Sequence, residues 1–358
     1  MQQKSGAGKL AANLAPSLAA DTAACRRVLR RESRTFHAAS LLLPSRVRGP
    51  ASALYAFCRL ADDAVDCPGD RSAAERLDRL RLRLERIYAS RPLPSPVDRA
   101  LTDAVERFGI PRRILEALFE GFEWDIQCRR PADLGELQAY AARVAGTVGA
   151  MMAVLMGQRS PDVVALACDL GVAMQLSNIA RDVGEDARMG RLYLPLDWLR
   201  EAGIDPDAWL AEPVFTEALG SVVLRLLNTA DTLYRRADDG IARLPADCRP
   251  GIAAARHLYA GIGHEVAFRG GDSIASRAVV PRTRKARLLG RSLVAAATGR
   301  CSGTAHPPLE ATRFLVEAVA ASVAAEESPA QSADQVIWLI TLFERLERGQ
   351  RAALQRHG

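Results

Sequence analysis

Two short stretches hold most of the polar chemistry in this chain. In Tyr55-Ala-Phe-Cys-Arg59-Leu-Ala-Asp62-Asp63-Ala-Val-Asp66, the residues Tyr55, Arg59, Asp62 and Asp66 stand at offsets 0, 4, 7 and 11. In Gln175-Leu-Ser-Asn178-Ile-Ala-Arg181-Asp182-Val-Gly-Glu185-Asp186, the residues Gln175, Asn178, Asp182 and Asp186 stand at 0, 3, 7 and 11. On a helix advancing about 100° per residue, each set shares one stripe, so each helix offers a pair of carboxylates one turn apart. Like charges at that spacing cost a helix a few tenths of a kcal/mol. A solvated charged surface would show the same spacing, but both pairs are embedded among Leu, Ile, Val, Ala and Phe. Carboxylates in such surroundings need a cation. Hard oxygen ligands select Mg²⁺ or Mn²⁺, and Mg²⁺ favours a few carboxylates completed by phosphate oxygens and water.

Two such faces opposed across a helical bundle would hold metal ions that grip a diphosphate. Arg59, Arg181 and the cations near Arg34 and Arg277 could neutralise its remaining oxygens. Apolar helix faces would line the rest of the cavity, among them Val144-Ala-Gly-Thr-Val-Gly149. There Gly146 and Gly149 allow close approach, either of a neighbouring helix or of a long apolar substrate. A diphosphate at one end and an apolar lining beyond it point to a prenyl diphosphate.

The elements that must position these residues read as helices. Leu77, Leu80, Leu84 and Ile87 recur at helical spacing between charges, and Ile114, Leu115, Leu118, Phe119 and Phe122 repeat the pattern after the helix-starting Pro111. No run of alternating β-branched residues bounded by turn residues occurs, and an all-α fold is expected. Breaks at 92–96, 157–161, 203–206, 244–250 and 307–308 separate segments long enough for several turns each. Residues 1–20 read as a flexible leader, 21–308 as one helical catalytic domain and 309–358 as a C-terminal helical extension. Within the extension, the apolar Val336-Ile-Trp-Leu-Ile-Thr-Leu-Phe343 is expected to pack on the domain or to meet a membrane or partner.

Composition narrows the classes. With 358 residues, 49% hydrophobic and 25% charged, the chain can bury a large core and is neither disordered nor fibrous. Seven scattered cysteines without a C-x-x-C pair read as reduced thiols of a cytoplasmic protein, and five histidines without H-E-x-x-H give no expectation of zinc. The longest uncharged apolar stretch, 144–157, is short of the roughly 20 residues a membrane span requires. The net charge of +6 comes almost wholly from Arg, whose planar fork suits phosphate. Aromatic residues, 5% of the chain, are too few and dispersed for base-stacking platforms, so no nucleic-acid partner is expected.

Several segments together resemble the bacterial phytoene synthases: Ser33-Arg-Thr-Phe36, Leu54 through Asp66, Tyr140 followed by Val144 through Gly149, and Gln175 through Pro195 (QLSNIARDVGEDARMGRLYLP). The similarity spans about residues 25–308. It implies an all-α isoprenoid synthase helical bundle with a central substrate cavity, joining two geranylgeranyl diphosphates head to head into phytoene, the first committed step of carotenoid biosynthesis. By the same resemblance Asp62 and Asp66 match the first aspartate motif, and Asn178, Asp182 and Asp186 the second, both binding magnesium. Ser33, Arg34, Phe36, Tyr55, Arg59, Gly146, Gln175 and Arg277 are expected to contact substrate, and Tyr55, Arg59, Tyr140, Arg181 and Tyr259 to act at the reacting carbons. Tyr259 and Arg277 are the least securely aligned. Arg34 stands where Lys is common and Ser177 where Thr is usual, and residues beyond Leu309 have no counterpart in shorter relatives.

Two other readings stay open at this level. Both aspartate motifs equally serve a dehydrosqualene or squalene synthase acting on farnesyl diphosphate. Squalene formation also needs NADPH, and no G-x-G-x-x-G follows a strand here, so no NADPH is expected. Some relatives of phytoene synthase are non-enzymatic assembly factors, which can lose the carboxylates that are intact in this chain. The partners expected are geranylgeranyl diphosphate, downstream carotenoid enzymes and an anionic membrane surface. Arg282, Arg284, Lys285, Arg287 and Arg291 alternate with Leu288, Leu289, Leu293 and Val294, a basic amphipathic segment suited to peripheral attachment on the inner face of the cell membrane.

Overall fold

The computed structural model describes residues 17–66, 72–299 and 306–326, and no strand occurs among the described residues. The chain opens with α1 (Leu18–Glu32), α2 (Arg34–Ser40) and α3 (Ser45–Asp66), followed by α4 (Ala73–Tyr88), α5 (Pro96–Phe108) and α6 (Arg112–Ile126). Next, α7 (Leu134–Ala141) runs through a π turn (Ala142–Gly146) into α8 (Thr147–Leu155) and the long α9 (Pro161–Arg188). Short α10 (Leu196–Glu201) and α11 (Pro206–Ala211) lead to α12 (Glu217–Arg243), α13 (Arg249–Phe268) and α14 (Arg282–Thr298). A 3-10 turn (Glu310–Thr312) then starts α15 (Arg313–Glu326).

Local signals account for many of these boundaries. Ser72 and Glu75 form a reciprocal capping box at the start of α4, satisfying two backbone donors that a helix start leaves free. The anticipated stripe Leu77, Leu80, Leu84 and Ile87 is its buried face, and Ile114, Leu115, Leu118, Phe119 and Phe122 are buried on α6. Pro96, Pro161 and Pro206 each occupy the first turn of a helix, where the missing N–H costs nothing. The first helix begins at Leu18, inside the stretch expected to be a leader, and its buried Asp21 accepts two hydrogen bonds from Arg99 of α5.

The apolar faces close into two large clusters. One joins α3, α4, α5, α6, α8 and the start of α9; the other joins α7, the rest of α9, α12 and α13. Helix α9 therefore runs through both. It is long and apolar enough to cross a membrane by composition, but 78% of its apolar stretch is buried inside the protein, as a core helix must be. Glycines bring α9 against its neighbours: a Cβ on Gly149 would lie 2.1 Å from the Ala167 carbonyl oxygen, and one on Gly171 would lie 2.2 Å from that of Ala145. Only glycine admits such backbone contact.

The boundary anticipated at residue 308 is bridged by contacts. Arg236 of α12 donates both to the buried Asp169 of α9 (2.7 Å) and to the Pro307 carbonyl (2.6 Å), while His306 pairs with Asp239 (2.8 Å). Leu315, Val316 and Val319 of α15 then enter the first apolar cluster. The apolar stretch at 336–343 lies outside the described residues.

Candidate active site

A cavity of about 320 Å³ lies between the two clusters. Its wall is apolar: Leu43, Ala51 and Leu54 from α3 and the loop before it, Val144, Ala145, Val148 and Met152 from the π turn and α8, and Leu166, Leu170 and Met174 from α9. The polar residues on it gather at one end. On α3 the lining runs to Tyr55 and Cys58, and Asp62 follows one turn later; on α9 it runs to Gln175 and Asn178, and Asp182 follows one turn later. Each acidic motif is thus the continuation, past the cavity, of a helix stripe that lines it.

Arginine clasps both motifs. Arg59 donates to Asp62 (2.8 Å) and also reaches Asp63 (2.6 Å). Asp63, off the Asp62 stripe by sequence, therefore shares its guanidinium. Arg181 grips Asp182 with two bonds of 2.7 and 2.5 Å, and Arg277, 95 residues away on the loop after α13, adds two more of 2.8 and 3.1 Å. Arg277, expected from the sequence as a diphosphate contact, lies beside the second motif. Charge-assisted pairs of this kind are strong and geometrically specific. Arg34 is exposed and makes no ion pair among the described residues, leaving a free cation at the start of α2.

Three aromatic rings cover the polar end. Phe36 meets Tyr55 edge-on at 5.9 Å and Tyr259 at 4.9 Å, and all three line the cavity. Burial pushes the Tyr259 phenol upward despite nearby Arg181, and burial likewise raises Tyr55. Both phenols stay neutral at the polar end of the cavity. Ser33 caps α2 by accepting from the Phe36 N–H (3.2 Å), so it sets the angle at which Phe36 enters.

The oxygen chemistry suits a hard cation. Asn178 Oδ1 is buried without a hydrogen-bond partner. Burial first, then the carboxylates Asp182, Glu185 and Asp125, push Asp186 up to about 7 against the pull of Arg191. Among the described residues no three His, Cys, Asp or Glu side chains converge as a ready-made cage. Mg²⁺ takes one or two protein carboxylates and completes its shell from phosphate and water. The Asp66 side chain lies outside the described residues.

Two anticipated residues fall elsewhere. Gly146 faces away from the cavity: a Cβ there would lie 3.4 Å from Leu315 Cδ1, so the close approach it permits is that of α15. Gly149 approaches α9 and also lines the cavity. Tyr140 does not line it. Its ring is buried between Trp124 (6.5 Å) and Tyr193 (5.1 Å), and its hydroxyl is hydrogen-bonded to Tyr193 and Asp125. Two residues went unassigned by sequence reasoning. Tyr193 donates to Asp125 Oδ1 (2.7 Å), and Asp125 in turn acts on Asp186, so α6 adds a carboxylate to the second motif. The available signal was an acidic pair, Glu123 and Asp125, among the aromatics of Gly121-Phe-Glu-Trp-Asp-Ile126.

Comparison with known proteins agrees with this arrangement. The chain is 56% identical over 280 residues to a phytoene synthase of Rhodobacter capsulatus, covering 77% of this chain and 82% of that protein. It is 50% identical over 313 residues to a phytoene synthase of Cereibacter sphaeroides, covering 84% and 88%. Among solved structures, a dehydrosqualene synthase in complex with ligand superposes with a TM-score of 0.72 at 29% identity, covering 77% of this chain and 96% of that one. Residues 29–284 match the squalene/phytoene synthase family. An all-α bundle, two arginine-clasped acidic motifs at one end of an apolar cavity and this extent of identity lead to one conclusion: the chain belongs to the squalene/phytoene synthase family.

Proposed function

We propose that this enzyme joins two geranylgeranyl diphosphates head to head, through prephytoene diphosphate, a cyclopropylcarbinyl diphosphate, into phytoene. The observation that supports it most is the cavity, apolar over most of its wall, with an arginine-clasped acidic motif one turn beyond its polar lining on α3 and another on α9. Identity to phytoene synthases over most of the chain favours the geranylgeranyl over the farnesyl substrate.

Arg59, Arg181 and Arg277 hold the diphosphate of the reacting substrate as its C1–O bond breaks, the electron pair leaving with the diphosphate. Asn178, Asp182 and Asp186 of α9, together with Asp62 of α3, would hold Mg²⁺, which would supply positive charge against the departing oxygens. The allylic cation left behind lies beside Phe36, Tyr55 and Tyr259, whose ring faces stabilise it, in a wall that excludes water. The double bond of the second substrate attacks this cation, and loss of a proton closes the cyclopropane. A second C1–O cleavage, rearrangement and loss of a second proton give the hydrocarbon, with two diphosphates released and no reductant consumed.

The test is incubation with geranylgeranyl or farnesyl diphosphate and Mg²⁺, with the product identified by mass. Phytoene without added NADPH, abolished by EDTA and restored by Mg²⁺ or Mn²⁺, is the expected outcome. Squalene dependent on NADPH, or no product from either substrate, would overturn it. Peripheral attachment to anionic lipid belongs to the same proposal: α14 contains no acidic residue and exposes Arg282, Arg287 and Arg291 beside Leu293 and Val294.

A further inference from the structure

Helix α15 lies beyond the family match, which ends at residue 284, yet it touches the wall of the cavity from behind. The π turn is the only break in an otherwise continuous helical path from α7 into α8, and it is gripped on two sides. On one side Gly171 of α9 admits the Ala145 carbonyl so closely that a Cβ would lie 2.2 Å from it. On the other, Leu315 Cδ1 and Thr312 Cγ2 lie 3.4 and 3.7 Å from where a Gly146 Cβ would be. Leu315 and Thr312 are both fully buried. Arg143 within the turn is held in the same way: its guanidinium lies 4.7 Å from the Trp124 ring of α6 and 5.3 Å from the Phe314 ring of α15, and it donates to Glu120.

A π turn adds a residue to a helix and is retained where surrounding contacts hold it. Here the extra residue changes which side chains face inward, for Val144, Ala145 and Val148 line the cavity while Gly146 is turned to α15. The segment bearing α15 is itself tied down by Arg236 to the Pro307 carbonyl, by His306 to Asp239, and by Arg159 to Ser322 (3.0 Å). We infer that α15 is a positioning element for catalysis: Leu315, seated over Gly146, holds the π turn in register and so sets how the cavity wall discriminates between prenyl chains of different length. This rests on the reading that the cavity holds the prenyl chains of the substrate.

The full-length enzyme and its Leu315→Ala, Leu315→Val and Leu315→Met variants test it. Each is assayed with geranylgeranyl and with farnesyl diphosphate, for KM and kcat separately, and for inhibition by inorganic diphosphate. A wall that yields loses contacts with the longer chain first. The ratio of kcat/KM for geranylgeranyl over farnesyl diphosphate should therefore fall about fivefold or more in Leu315→Ala, through KM, within the range that a few hydrocarbon contacts command. Inhibition by inorganic diphosphate should be unchanged, since the arginine end is untouched, and Leu315→Met, which conserves volume, should restore the ratio. If Leu315→Ala does not fold, Leu315→Val carries the same comparison. A folded variant with lowered melting temperature but the wild-type ratio would overturn the inference, as would a parallel weakening of diphosphate inhibition. If the wild-type enzyme makes no product from either substrate, the functional reading falls first and this inference with it.

Discussion

Replacing Gly171 by alanine probes the cavity wall with a single methyl group. Its Cβ would stand 2.2 Å from the Ala145 carbonyl oxygen, 2.7 Å from the carbonyl carbon and 3.0 Å from the Gly146 nitrogen, all of them backbone atoms. Reaching a contact of about 3 Å requires α9 and the π turn to part by roughly 0.8 Å, and no flexible side chain is available to absorb it. Overpacking against rigid backbone belongs at the upper end of the usual cost, about 3 kcal/mol. The gain in helix propensity from glycine to alanine offsets about 1 kcal/mol of this, leaving a net loss of about 2 kcal/mol. For a chain of this size that lowers the melting temperature by about 3 °C, measurable by scanning calorimetry or circular dichroism. The displaced wall includes Val144 and Ala145, so phytoene formation should drop about tenfold to a hundredfold in kcat/KM. Gly290→Ala is the matched control, for nothing lies within 4 Å of its Cβ in α14, and it should gain about 1 kcal/mol with activity intact. A Gly171→Ala enzyme with wild-type melting and turnover would refute the close packing of turn and helix on which this rests.

Asp182→Asn keeps the shape of the residue but removes the charge that Arg181 and Arg277 both clasp, so turnover should fall by about two orders of magnitude or more with helix content retained by circular dichroism. Near-normal turnover would remove the catalytic reading. Asp63→Asn should lose less than Asp62→Asn but more than nothing, because Arg59 is shared between the two carboxylates; steady-state rates of both variants check this. Asp169 is pushed from 3.8 up to about 6 by burial, against the pull of Arg236. A raised folded-state value means that its contribution to stability is present below the unfolded value near 3.8 and is lost as pH rises through about 6. Asp169→Asn, which does not titrate, should therefore gain on wild type between pH 4 and pH 7.5 by roughly 2–3 kcal/mol in urea denaturation, and an unchanged difference would contradict the shift. Arg287→Glu with Arg291→Glu should abolish sedimentation with anionic vesicles at low salt while leaving turnover in detergent intact.

Much of this protein is written locally. Helix stripes such as Leu77 to Ile87 need only the 3.6-residue period, and prolines at 96, 161 and 206 mark helix starts because a first-turn residue needs no N–H donor. Both acidic motifs could be found because a carboxylate pair one turn apart among apolar residues is locally costly and stands out. Residues separated by tens to hundreds of positions required the folded chain. The pairing of Arg277 with Asp182, the Phe36 contact joining Tyr55 to Tyr259, and the approach of Asp125 to Asp186 all cross between helices that no local pattern relates. Gly146 shows the limit most clearly. A glycine in a helix announces close approach, but whether a ligand or another helix approaches depends on the π turn, which rotates the following residues, and on Leu315 of α15, which arrives from 169 positions downstream to fill the gap. Sequence alone therefore determined the helices, their buried stripes and the position of the two acidic motifs, because these depend on neighbours within a turn or two. Tertiary structure decided which side chains face the cavity and which face protein, because orientation at a helix break is set by packing between elements and not by period.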